Sequence, residues 1–230
     1  MTTLKLFSLF TLTLLLACGN SSQSDNTALD STANASPESN FSDGGQAAIT
    51  EYAKTLPLDK IKLPAGFAID VFAEVENARS MAISPSGVIY VGNKDKDKVY
   101  AVKDNDGDYK ADKKWTLATG LNMPNGVAFH DGDLYIAEVS RISKIDDVES
   151  KLANPPAPTT IKDDYPKETH HGWKYIAFGP DGKLYVPVGA PCNICEPKEE
   201  VFASITRINS DGSGLEIYAK GVRNSVGFTW

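Results

Sequence analysis

From about residue 66 onward, apolar and polar residues alternate in short runs with a period near two, the period of strands rather than of helices. Three stretches share one pattern: "MAISPSGVIYVGN" (81–93), "VAFHDGDLYIAEV" (127–139) and "IAFGPDGKLYVPVG" (176–189). Each opens as an apolar strand, turns at a segment containing Gly, and resumes as apolar–Tyr–apolar. Ala82, Ala128 and Ala177 occupy equivalent places, 46 and 49 residues apart, and Tyr90, Tyr135 and Tyr185 align with them. The pattern predicts a third strand in each unit, at "KVYAVKD" (98–104), "RISKIDD" (141–147) and "SITRINSDG" (204–212). It predicts a fourth in two of them, at "KKWTLATG" (113–120) and "LEIYAKG" (215–221).

Short antiparallel strands recurring every 45–50 residues are the signature of β-propeller blades. The competing reading, a sandwich with coincidental hairpins, must account for three matches in the same order. The expected class is therefore all-β, a partial propeller over residues 59–230. The pattern starts a fourth time at "VGFTW" (226–230), with Gly227 in the place of the alanine. About three and a half units fall short of the four to eight with which propellers typically close, so the chain reads as the N-terminal part of a longer one.

Residues 1–17 read as a processing signal: one Lys, an apolar run from Leu6 to Leu16, then Ala17 and Cys18. Leu15, Leu16, Ala17 and Cys18 resemble a bacterial lipobox, which implies cleavage before Cys18 and lipidation of its sulfur. An ordinary signal peptide with an incidental Cys is the alternative, and either one takes the protein out of the cytoplasm. Gly19 in place of an Asp favours the outer membrane, so the expectation is a periplasmic or cell-surface lipoprotein. Residues 18–58 are a tether, because 19–45 carry almost no large apolar side chains; "QAAITEYAKTL" within it is a candidate short helix. The net charge of −7 argues against a nucleic-acid partner.

Candidate chemistry follows from blade topology. With strands a to d running outward from a channel, the d-to-a and b-to-c connections share one face. The segments before each a strand are "ENARSMA", "LNMPNGVA", "THHGWKYIA" and "GVRNSVG". They bring Arg79, Asn122 or Asn125, His170 or His171, Lys174, Arg223 and Asn224 toward one mouth. Convergent cations and amides suit an anionic ligand, and a His supplies a base near neutral pH. Trp173 is either a ring-stacking residue or a buried blade aromatic.

"HHGWKYIAFGPDGKLY", "GVRNSVGF" and "IKLPAGFAIDVFAEVENARS" resemble the quinoprotein glucose/sorbosone dehydrogenases, and the sorbosone dehydrogenase-like variants share the "CNICEP" loop. The resemblance covers roughly residues 60–230. It implies a six-bladed propeller that uses pyrroloquinoline quinone (PQQ) with calcium, oxidises an aldose or sugar aldehyde, and passes electrons to an external acceptor. Counting eight positions back from Gly179 gives His171 the base's role, with His170 a neighbour. Arg223 and Asn224 match the pair that contacts the cofactor. His171 would take the hydroxyl proton as hydride leaves for the quinone, and Arg223 would stabilise the charge that develops there. The family's calcium-coordinating loop falls beyond Trp230, and Arg79 has no match.

Two further constellations stand apart. Cys192 and Cys195 sit between strands b and c of the third unit, on the face of the site; a local disulfide is expected outside the cytoplasm. A redox-active pair, or a zinc site with the histidines, is the alternative, the latter opposed by the opposite directions of adjacent side chains in an extended segment. "DNDGDYKAD" places Asp104, Asp106, Asp108 and Asp112 at positions 1, 3, 5 and 9 of a calcium loop, without the Gly at 6 or the Glu at 12. It is a structural calcium clip or a solvated Asp-Gly turn. Two function classes compete with the quinoprotein: a calcium-dependent propeller lactonase, which wants carboxylates at the mouth, and a non-catalytic binding propeller.

Overall fold

The computed structural model describes residues 51–230 and the short strand β1 (Ser39–Asn40). The signal segment, Cys18 and most of the tether lie outside the described residues. Within the candidate short helix, residues 51–55 are helical, and a 3-10 turn follows at Leu58–Lys60.

Twelve further strands form three antiparallel sheets, each in sequence order. The first unit holds β2 (Ala78–Ile83), β3 (Ile89–Asn93), β4 (Val99–Lys103) and β5 (Lys113–Ala118), with β1 added outside β5. The second holds β6 (Gly126–His130), β7 (Asp133–Ala137), β8 (Ile142–Ile145) and β9 (Thr159–Lys162). The third holds β10 (Ala177–Phe178), β11 (Leu184–Val188), β12 (Ser204–Ile208) and β13 (Glu216–Lys220). The repeat keeps one register: Ala82 opposes Tyr90, Ala128 opposes Tyr135, and Ala177 opposes Tyr185. β9 carries no sequence forecast, because "ANPPAPTTIK" holds three prolines and only three scattered apolar residues where a strand pattern needs alternation.

The sheets stack face to face, and their first strands are neighbours: β6 contacts both β2 and β10. Val99 and Leu117 of the first unit share a buried core with Leu134 and Ile136 of the second. Ile142 of the second shares another with Leu184 and Ile208 of the third. One aromatic contact repeats at each step. Tyr90 stacks on Phe129 with centroids 5.6 Å apart, Tyr135 meets Phe178 edge-on at 4.8 Å, and Tyr185 meets Phe228 at 6.4 Å. Each tyrosine of one unit thus touches the residue after the small Ala or Gly of the next. This is a partial β-propeller. At 226–230 no strand forms, and Phe228 and Trp230 pack on Tyr185.

Candidate functional site

The connector before each a strand makes its final turn with a residue in the left-handed region: Asn77 (φ 53°), Met123 (φ 52°) and His171 (φ 53°). This conformation is uncommon for residues other than Gly, with Asn and His among the more tolerant. At His171 it turns the backbone so tightly against the end of β11 that a Cβ on Gly189 would come within 2.4 Å of the His171 carbonyl oxygen. The imidazole then reaches across to the same segment, and His171 Nδ1 lies 2.9 Å from the carbonyl oxygen of Ala190. A carbonyl only accepts, so Nδ1 carries the hydrogen. In the neutral ring Nε2 keeps the lone pair.

Ala190 also fixes the next connector, because its N–H donates to the Arg223 carbonyl at 2.8 Å. His171 and Arg223, 52 positions apart in sequence, are therefore held at one end of the blades through a single residue. The Arg223 side chain is exposed, and no ion pair engages it among the described residues. Asn224 is half-buried beside it in sequence. The disulfide between Cys192 and Cys195 forms as expected and closes a loop over the same mouth. From that loop Asn193 Oδ1 lies 3.2 Å from His170 Nε2, while the His170 and His171 rings sit 4.1 Å apart.

Two residues placed at the mouth by sequence are buried instead. Asn125 is buried and donates from Nδ2 to the Lys174 carbonyl at 2.7 Å, tying two connectors together. Lys174 is only 2% exposed: its Nζ donates to the Gly172 carbonyl at 3.2 Å and lies 5.4 Å from the Tyr165 ring. Burial, with no carboxylate partner among the described residues, pushes its amine down to about 8. The cause is the Lys/Ile alternation of "WKYIA", which turns Lys174 and Ile176 into the packed face between the second and third sheets. Arg79 lies within β2 rather than in a connector, and is exposed. Asn122 acts through its backbone, whose N–H donates to the buried Glu138 carboxylate at 2.6 Å.

Sequence reasoning missed Lys94, Ala190 and Asn193. Lys94, in the b–c loop of the first unit, places Nζ 4.7 Å from the Trp173 ring centre. Trp173 is half-buried with its indole N–H enclosed and without a partner among the described residues, so one ring face is already taken by a cation. The b–c rule alone points to Lys94; nothing in the residue pattern marks Ala190, which acts only through its backbone. The same rule also brings acids to this face. Glu76 pairs with Lys96 at 3.5 Å, Asp95 with Lys94 at 3.9 Å, and Asp97 accepts from the Gly120 N–H at 3.0 Å. These three are engaged at the first unit.

The acidic loop belongs to the other face, in the c–d hairpin between β4 and β5. Ligand atoms of Asp104, Asp106 and Asp108 lie within 4.8 Å of one another. Asp112 is not in that group; its Oδ2 accepts from the Asn105 N–H at 2.6 Å. Asp104 accepts from the N–H groups of Gly107 (2.7 Å), Tyr109 (2.9 Å) and Asp106 (3.1 Å), which holds its carboxyl below the usual range. Backbone donors thus already organise the turn, and an ion there has no reach to His171.

A family model described as a domain of unknown function, DUF7133, matches residues 54–230. The chain belongs to the DUF7133 family. A curated relative from Borreliella burgdorferi, described as an uncharacterized protein, is 30% identical over 186 residues, which cover 73% of this chain and 45% of the relative. The chain therefore spans less than half the length of that relative. Among solved structures, the holo form of the pyranose dehydrogenase PQQ domain from Coprinopsis cinerea superposes with a TM-score of 0.57 at 14% identity, covering 66% of this chain and 41% of that one. The calcium structure of a Trichoderma reesei carbohydrate-active enzyme of family AA12 gives 0.50 at 16% identity, with 63% and 38% covered. At these identities the likeness is one of fold, and it agrees with the propeller built by this DUF7133 chain.

Proposed function

We propose that this protein is a PQQ-dependent oxidoreductase acting on an aldose or sugar aldehyde of the glucose/sorbosone type. The observation that carries the reading is Ala190, which holds His171 through its carbonyl and Arg223 through its N–H. PQQ carries several carboxylates, and the residues fit such a group: an exposed Arg223 free of ion pairs among the described residues, Lys94 with only a long 3.9 Å pairing to Asp95, and a base whose lone pair is fixed on Nε2. The similarity in fold to a PQQ domain supports the same choice.

When bound, the quinone supplies the two-electron acceptor for hydride. His171 Nε2 takes the substrate's hydroxyl proton, and the Ala190 carbonyl stabilises the imidazolium through Nδ1–H. Arg223 holds anionic oxygen at the mouth, and Asn224 adds amide donors. Calcium near the quinone would need ligands other than the Asp104–Asp108 group, which lies on the far face. The lipobox adds an outer-membrane lipid anchor at Cys18 and an extracytoplasmic location, with an external acceptor for the electrons.

The test uses the full-length gene product with PQQ and calcium. PQQ binding is read by absorbance, and turnover by a dye acceptor with a panel of aldoses and aldehydes. The expected results are saturable binding weakened about tenfold or more in Arg223→Gln, and dye reduction dependent on both sugar and quinone. Unaltered quinone absorbance with no sugar-dependent reduction would remove the enzyme reading in favour of a binding propeller. Fatty-acid labelling lost in Cys18→Ala tests the anchor.

A further inference from the structure

We infer that Asn193, clamped by the Cys192–Cys195 bond, is a positioning residue that fixes His170 in the tautomer opposite to that of His171. This goes deeper into the site under the quinoprotein reading, and it rests on that reading only in its kinetic arm.

The two histidines are adjacent in sequence, yet their anchors differ in kind and in the nitrogen they hold. The Ala190 carbonyl takes Nδ1–H of His171. The amide oxygen of Asn193 takes Nε2–H of His170, leaving Nδ1 of His170 as the acceptor. The rings sit 4.1 Å apart with a 59° tilt, so the orientation of one bears on the other. Both anchors come from a single short segment that also tethers Arg223 through the Ala190 N–H. One stretch of chain between β11 and β12 therefore sets both imidazoles and the guanidinium's loop.

The two holds differ in durability. His171 is half-buried and its partner is backbone at the end of a strand, whereas His170 and Asn193 are both exposed. An exposed hydrogen bond between two free side chains competes with water and adds little on its own. Here the covalent link from Cys192 to Cys195 confines Asn193 to a loop with two residues between the cysteines, which removes most of the freedom it would otherwise lose on bonding. Reduction by a dithiol transfers two electrons and two protons to the bond. It yields the Cys192 and Cys195 thiols and converts the reagent to its own disulfide. The loop is then released, and Asn193 no longer holds His170.

The experiment reads the imidazole nitrogens by 15N NMR in the protein and in Asn193→Ala and Asn193→Asp. In the unmodified protein His170 reports Nε2–H and His171 reports Nδ1–H. Asn193→Ala shifts the His170 15N signals toward those of a free imidazole, whose tautomers exchange with Nε2–H still in the majority, with an unchanged melting temperature, and Asn193→Asp, whose carboxylate still accepts from Nε2–H, reverses the shift. Dithiol reduction of the parent reproduces the Asn193→Ala spectrum and changes nothing further at His170 in that variant. A His170 tautomer indifferent to Asn193→Ala or to reduction overturns the inference. In the PQQ-loaded full-length protein, Asn193→Ala raises the sugar KM about two- to tenfold with kcat nearly unchanged; an altered tautomer with an unchanged KM overturns the positioning role. A responsive His170 in a protein that binds no quinone supports the tautomer bracket and removes the quinoprotein reading instead.

Discussion

His171 Nδ1 lies 2.9 Å from the Ala190 carbonyl oxygen, and this contact gives the site both its shape and its chemistry. It fixes where the proton sits on the ring. It also joins the connector before the third blade to the connector that follows it, since the same Ala190 donates its N–H to Arg223. Recurrent left-handed turns at Asn77, Met123 and His171 mark the bend as a property of the repeat, on which His171 has been placed.

Gly189 makes that contact possible. A Cβ there would lie 2.4 Å from the His171 carbonyl oxygen and 2.5 Å from its Cβ, and both groups are held in place. Gly189→Ala is expected to lower stability by about 1–3 kcal/mol and to break the His171–Ala190 bond. Denaturant unfolding and the His171 15N signals check this; an unchanged midpoint with an intact Nδ1–H would show that the loop has slack.

Two tyrosines at blade interfaces should respond in opposite directions to loss of the hydroxyl. Tyr90 is fully buried with no partner for its OH among the described residues, and burial pushes its phenol well above the ordinary range. Tyr90→Phe keeps the stacking on Phe129 and should be neutral or stabilising by up to about 1 kcal/mol. The Tyr165 hydroxyl lies 3.0 Å from Thr206 Oγ1, which itself donates to the Val186 carbonyl at 2.8 Å. Tyr165→Phe should therefore cost about 1 kcal/mol. Equal losses in the two variants, measured by chemical unfolding, would mean that Tyr90 has a partner.

The buried amine of Lys174 gives a pH signature. Its folded value near 8 lies below the ordinary 10.5, so between these the unfolded chain holds a proton that the folded chain has released. Stability should rise as pH climbs from about 8 to about 10, and the charged amine is a burden at neutral pH. Lys174→Met should be more stable than the parent at pH 7, by roughly 3 kcal/mol at most, with the gap closing toward pH 10. Parallel melting curves across that range would show that Lys174 stays protonated in the fold.

Much of this architecture is legible in the chain. The Ala and Tyr spacings align the three units, whose registers agree, and the rule that d–a and b–c connections share a face brings His171, Arg223 and the Cys192–Cys195 loop together. Hydrophobic period says nothing of backbone contacts, so Ala190 was invisible. It also treats a Lys as polar, which points Lys174 to the mouth although alternation turns it inward. β9 escaped because its pairing with β8 is backbone-driven and its side chains are mostly polar. The Asp-rich loop is legible as a turn, and its backbone donors explain the spacing of Asp104, Asp106 and Asp108 without an ion.

The most direct measurement is the steady-state rate of dye reduction by the PQQ-loaded full-length protein carrying His171→Asn. Asn tolerates the left-handed turn that His171 occupies, so the fold and quinone binding should persist. The rate should fall on the order of a hundred- to ten-thousandfold, because the Nε2 lone pair is gone. A His171→Asn protein that binds quinone and oxidises sugar at the parent rate would contradict the account.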